Sequence, residues 1–145
     1  MKILTLNGVN LNMLGIREPD IYGDKDYGSL DKYIRKCYKD NKVDGDVLQT
    51  NREYELVEEI QAAYKNYDGI IINAGAYTHT SVAILDALKA VSIPTVEVHL
   101  SDISSREEFR KISYISLYAE KVIAGKGFRG YAEAVKYLAE KYGKK

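Results

Sequence analysis

The run Ile70-Ile71-Ile72 constrains the fold more than any other part of the chain. It is short, β-branched throughout, and bracketed by turn signals, Asp68-Gly69 before it and Asn73-Ala74-Gly75 after it. Successive side chains of a strand point to opposite faces. Three consecutive isoleucines therefore describe a strand buried on both faces, as in a parallel sheet covered by helices on each side.

The rest of the chain fits that frame. Residues 2–7 read as a first buried strand through Ile3, Leu4 and Leu6, and 47–50 as a second. Pro94 opens a fourth, with Thr95, Val96 and Val98, and 121–124 form a fifth. Helical stripes lie between them. Leu30, Tyr33, Ile34, Cys37 and Tyr38 follow a Ser29 N-cap, and Leu56, Ile60, Ala63 and Tyr67 follow an Asn51 cap. Ile84, Leu88 and Val91 mark a third stripe, and Tyr131, Ala134, Val135, Leu138, Ala139 and Tyr142 a last one. Residues 113–118 read as irregular, and 11–28 as a long polar connection of the kind that forms lids and binding loops. Five strands alternating with helices give an α/β fold, and at 145 residues a flavodoxin-like three-layer sandwich with a five-stranded parallel sheet, one domain over 1–145. Ligands of such sheets bind beyond the carboxyl ends of the strands, where Asn7, Asn73 and His99 fall.

Composition narrows the function. Lys plus Arg and Asp plus Glu both number 21, so the basic excess of a nucleic-acid binder is absent. One cysteine, Cys37, forms no internal disulfide, and two histidines with it build no Cys/His zinc cluster. No carboxylate spacing suggests another metal. The opening apolar run is too short for a secretion signal and no run approaches a membrane span, so a soluble cytoplasmic protein is expected. With 13 tyrosines against 2 phenylalanines, much of the core is expected to be tyrosine.

The fourth strand carries the most chemistry. Glu97 and His99 share one strand face, where a carboxylate can hold one imidazole nitrogen and orient an acid/base histidine. Ser105 and Glu108 have capping-box spacing, which predicts a helix whose amino end faces an anion, with Arg106 and Arg110 on one side of it. Any one of these residues is more often structural: a satisfied buried pair or a solvated helix face. Their convergence at a strand end favours a site. Tyr22 lies in the polar loop five residues after Arg17. A phenol has a pKa of about 10, and a guanidinium beside it stabilises phenolate and makes a base, although pinning the loop is the plainer role. Gly125-x-Gly127-x-x-Gly130 matches a dinucleotide fingerprint, but the strand and acidic residue that should follow have no room before Lys145. The glycines read instead as a tight strand-to-helix turn. Asn7 and Asn73 stand where a phospho-receiver domain needs acidic groups.

These segments resemble type II 3-dehydroquinate dehydratase over the whole chain. The motifs are Asn7-Gly-x-Asn10-Leu-Asn, Arg17-Glu-Pro-x-Ile-Tyr22-Gly, Asn73-x-Gly-Ala-Tyr-Thr-His79-Thr-Ser, Glu97-Val-His99-Leu-Ser and Arg106-Glu-Glu-Phe-Arg110. The resemblance implies a lyase of the shikimate pathway, and so of aromatic amino acid biosynthesis. It would dehydrate 3-dehydroquinate to 3-dehydroshikimate by anti elimination through an enolate, without cofactor or metal, as a homododecamer built as a tetramer of trimers. Residue by residue, it implies Tyr22 as base, Arg17 as the arginine that depresses its pKa, and Asn10 as holder of a water at the enolate oxygen. His99 would be the acid for the departing hydroxyl, with Glu97 as its partner. Asn73, His79, Arg110 and the Leu100-Ser101 backbone would hold the substrate carboxylate and hydroxyls. Asp86 would reach a neighbouring subunit's site, and Arg106 would lie near the tyrosine loop. Val9, Ala74, Arg52, Leu85, Ser104-Ser105, Leu117 and Lys126 depart from residues common in the family, and none is in the matched chemical set. The alternative is a non-catalytic protein that binds a related small acid on the same scaffold.

Overall fold

The five strands are β1 Lys2–Asn7, β2 Asp44–Gln49, β3 Gly69–Asn73, β4 Thr95–His99 and β5 Lys121–Ala124. They pair in parallel in the order β2-β1-β3-β4-β5. Four α-helices connect them among the described residues: α1 Tyr27–Asp40, α2 Glu53–Ala63, α3 Val82–Val91 and α4 Arg129–Tyr142. The coordinates are a computed structural model, which describes residues 1–16 and 25–143.

The isoleucine run does what its pattern requires. Ile71 packs with Ile3, Leu30, Ile34, Val96 and Val135 on the α1/α4 side. Ile70 and Ile72 pack with Leu6, Leu56, Ile60, Ile84 and Leu88 on the α2/α3 side. All three are fully buried, and each such side chain contributes about 1.5–3 kcal/mol relative to an exposed one. Register then places the chemistry. Asn7 is level with Asn73, Ile72 with Glu97, and His99 with Ala124. The polar residues that end β1, β3 and β4 therefore gather at one rim of the sheet, next to the point where strand order reverses.

Several local expectations change. Ser29 is not the N-cap of α1: Asp26 is, its Oδ1 accepting from Ser29 N at 2.8 Å and Ser29 Oγ at 2.9 Å. Asn51 does not cap α2, because its side chain is used elsewhere, and Arg52 takes the cap position without a side-chain bond. Tyr67 lies beyond the end of α2. No α-helix starts at Ser105. Residues Ile103–Ser105 and Glu108–Arg110 are two separate 3-10 turns, and Arg106 between them is extended (φ −91°, ψ −169°). The side chain of Asp102 accepts from Ser104 N at 3.0 Å and closes the first turn, while its carbonyl accepts from Ser105 N at 3.1 Å and Ser105 Oγ at 2.8 Å, so the Ser105 groups that the capping box needed are already used. Residues Ile115–Leu117 form one more 3-10 turn in the stretch read as irregular.

Among the described residues the core is aliphatic rather than tyrosine-rich, with Tyr38 and Tyr131 as its buried tyrosines. Several of the other described tyrosines spend the phenol hydroxyl on a polar partner instead. Tyr118 donates to Ile93 O at 2.8 Å, and Tyr137 and Tyr142 to Glu120 at 2.6 and 2.7 Å. Cys37 is buried in the α1 face of the core. No described helix is long and apolar enough to cross a membrane.

Candidate active site

A cavity opens at the carboxyl rim of the sheet, lined on one side by Asn10, Asn73 and His79 and on the other by His99, Leu100, Ser101, Arg106 and Arg110. Eight of the residues singled out from the sequence thus meet in one place. Glu97 lies beneath the cavity and Asp86 away from it, exposed on α3. Arg17 and Tyr22 lie outside the described residues.

The floor is built by β4. Strand alternation brings Glu97 and His99 to the same face, and Glu97 Oε2 bonds His99 Nε2 directly. Nδ1 is left without a partner among the described residues, so it is the nitrogen offered to a ligand. Glu97 is wholly buried and takes three more contacts. Its Oε2 accepts from Ser113 Oγ at 2.6 Å and Thr78 Oγ1 at 3.3 Å, and its Oε1 from Ser116 Oγ at 2.6 Å. Burial pushes the carboxyl up, but the bond and charge of His99 with the two serine hydroxyls outweigh it and hold the group below its ordinary range. A carboxylate fixed in this way sets both the ring orientation and the tautomer of the histidine.

The β3 end supplies the opposite wall. Asn73 Oδ1 accepts from Gly75 N at 3.2 Å, and its Nδ2 donates to Tyr131 Oη at 3.0 Å. His79 Nδ1 contacts the carbonyl of Ile112 at 2.7 Å. A carbonyl only accepts, so Nδ1 carries the hydrogen and Nε2 is free to act toward the cavity. Tyr114 N donates to Thr78 O at 2.9 Å, tying the same two segments together. Gly8 lets the β1 and β3 ends meet: its N–H donates to Asn73 O at 2.7 Å, and a Cβ there would sit 2.3 Å from Ala74 O.

Asn10 follows in the left-handed region (φ 69°), which asparagine tolerates. Its N–H donates to Asn51 Oδ1 at 3.0 Å, and Gln49 Nε2 braces Asn51 Oδ1 at 3.1 Å and Gly8 O at 3.2 Å. This is where the side chain of Asn51 goes instead of capping α2. On the far side, Gly125 (φ 77°) and Gly127 make the tight turn read from the sequence, donating to His99 O at 3.3 Å and Leu100 O at 3.1 Å. The turn supports the backbone of the site.

Arg106 reaches the cavity from the extended link between the two 3-10 turns and Arg110 from the end of the second, not from one helix face. Arg110 Nε lies 3.0 Å and Arg106 Nε 3.7 Å from Glu107 Oε1, and Arg106 approaches Ser101 Oγ at 3.5 Å. Two guanidiniums held mostly out of water, with side-chain exposures of 13% and 22%, make the mouth of the cavity a place for a small anion. Chemically, the arrangement offers a tautomer-fixed imidazole, amide donors and a cationic clamp. Sequence reasoning missed Thr78, Ser113, Ser116, Asn51 and the site contact of Tyr131. Ser113 and Ser116 lie in a stretch without periodicity, and Tyr131 sat on an apolar stripe, so neither gave a signal.

Comparison with known proteins agrees with the geometry. Residues 1–139 match the family model described as dehydroquinase class II. The 3-dehydroquinate dehydratase of Fusobacterium nucleatum is 58% identical over 99% of this chain and 100% of its own length. The Clostridium acetobutylicum protein of that name is 48% identical over 95% and 96%. The crystal structure of type II dehydroquinase from Butyrivibrio crossotus superposes with a TM-score of 0.93 at 47% identity, covering 95% of this chain and 97% of that one. The chain belongs to the class II dehydroquinase family.

Proposed function

We propose that the cavity dehydrates 3-dehydroquinate to 3-dehydroshikimate, a step of the shikimate pathway, by anti elimination through an enolate, with residues 1–145 acting as one catalytic domain in the cytoplasm. The observation that carries this reading is the buried Glu97–His99 pair under a cavity whose mouth holds Arg106 and Arg110. The arginines, with Asn73, His79 and the Leu100-Ser101 backbone, hold the substrate carboxylate and hydroxyls. Tyr22, with its phenol made more acidic by Arg17, removes the proton next to the ketone. Its electron pair moves into the enolate, whose oxygen takes a hydrogen bond from a water held by Asn10. The enolate then collapses and the carbon–oxygen bond breaks. His99, its Nε2–H held by Glu97 and its ring carrying a second proton on Nδ1, gives that Nδ1 proton to the departing hydroxyl, which leaves as water. No cofactor is required for this balance. Twelve chains assemble as a tetramer of trimers, and Asp86 reaches the site of a neighbouring copy.

The test is ultraviolet absorbance of the conjugated enone product when 3-dehydroquinate is added. Tyr22→Phe and His99→Ala should each lower kcat by about 10²–10⁴, the usual worth of a positioned acid or base. Near-normal turnover in either variant rejects its role. Absence of an absorbance rise with the unmodified protein, alongside calorimetric binding of the acid, supports the non-catalytic alternative.

A further inference from the structure

Tyr131 lies in α4, behind the cavity lining rather than in it, and is wholly buried. Its hydroxyl nevertheless bridges the ends of two strands. It donates to Asn7 Oδ1 at 2.7 Å and accepts from Asn73 Nδ2 at 3.0 Å. These roles are forced in sequence. A phenol has one hydrogen, and an amide oxygen can only accept it. With that hydrogen committed to Asn7, the lone pair of Tyr131 meets the amide nitrogen of Asn73 and would repel the amide oxygen. The other end of Asn7 donates from Nδ2 to the hydroxyl of Tyr27, the first residue of α1, at 3.4 Å. The Gly75 N–H on Asn73 Oδ1 adds a second determinant of the same sense. One N–H of Asn73 is then used inside the protein, its oxygen is turned to Gly75 N, and the other N–H is left for the cavity that Asn73 lines.

We propose that Tyr131 is a positioning residue: through Asn7 and its own hydroxyl it fixes the Asn73 amide so that a donor, never an acceptor, faces the substrate. The group so recognised is an oxygen acceptor of a small polyhydroxy acid, a hydroxyl or carboxylate oxygen. The inference rests on the assignment of Asn73 to substrate binding. Asn7, at 0% exposure and outside the cavity lining, acts through the same chain.

The experiment is a double-mutant cycle in kcat/KM for 3-dehydroquinate with Tyr131→Phe and Asn73→Ala in the full chain, together with the side-chain amide resonances of Asn73 by NMR. Tyr131→Phe should raise KM about tenfold with a smaller change in kcat. It should have almost no further effect in the Asn73→Ala background, because it acts through that residue. The Asn73 amide signals should shift or broaden in Tyr131→Phe and in Asn7→Ala. Effects on kcat/KM that simply add, or an unaltered Asn73 amide in both variants, overturn the proposal. If Tyr131→Phe does not fold, Asn7→Ala carries the same cycle with the same outcomes. Because the amide resonances need no turnover, an inactive unmodified protein would sink the dehydratase reading while leaving amide orientation to be decided by NMR.

Discussion

At the scale of single residues the site turns on Glu97. A buried carboxylate is costly unless its oxygens are satisfied, and here both oxygens are met by hydrogen-bond partners. Glu97→Gln keeps the volume but removes the charge, and an amide meets one of these donors with its own N–H. We expect kcat to fall about 10²-fold, at the low end of the acid/base range because His99 itself stays in place. Stability should change with it. The folded carboxyl binds a proton less readily than the ordinary value of 4.5, so below that value the unfolded chain takes up more protons. This contribution is present above pH 4.5 and is lost as the pH falls through the lower folded value. Thermal unfolding followed across that window should show a shallower acid slope for Glu97→Gln than for the unmodified chain. Equal slopes would mean that other carboxylates dominate. The Glu97–His99 pair was legible because strand alternation is a two-residue rule. Ser113 and Ser116 were not, since tertiary packing of an irregular segment brings them to the carboxylate.

At the scale of elements, the strands and helical stripes were readable and the capping residues were not. Hydrophobic periodicity reports which face is buried, and burial is a property of the whole element. A cap depends on one side chain choosing among nearby backbone groups. Ser29, Asn51 and Ser105 were each plausible. Asp26 won the first cap, Asn51 was drawn to Asn10, and Asp102 closed a 3-10 turn in place of a helix. The two guanidiniums at the cavity therefore come from the link between two short turns and from the end of the second, without a helix dipole. Ser81 shows a cap that operates where it matters. Its Oγ accepts from Ile84 N at 3.0 Å, at 1% exposure, and starts α3 two residues after His79. Ser81→Ala should cost about 1–2 kcal/mol in urea unfolding with an unchanged m value. A cost near zero would mean that another group replaces the cap.

At the scale of the whole molecule the proposed assembly of chains makes its own predictions. Large apolar side chains are exposed at Val82 at the start of α3, Phe109, Ile112 and Leu117, at 49%, 68%, 65% and 72%, and the turn of Leu117 packs on α3. The same region carries Asp86, which is exposed and does not line the cavity of its own chain. Light scattering should give about twelve times the chain mass of 16.4 kDa, an assembly with closed symmetry. The sharper prediction concerns which chain Asp86 serves. Asp86→Ala should lower kcat/KM at least about tenfold, within the usual cost of removing a polar contact to bound substrate. Activity should then return when Asp86→Ala and His99→Ala chains are co-expressed. In a mixed assembly a site can take His99 from one chain and Asp86 from its neighbour, which random pairing achieves in about a quarter of sites. If Asp86 acted within its own chain, every mixed site would lack one of the two residues. Co-expression would then restore nothing, and the shared-site assembly would fall with it.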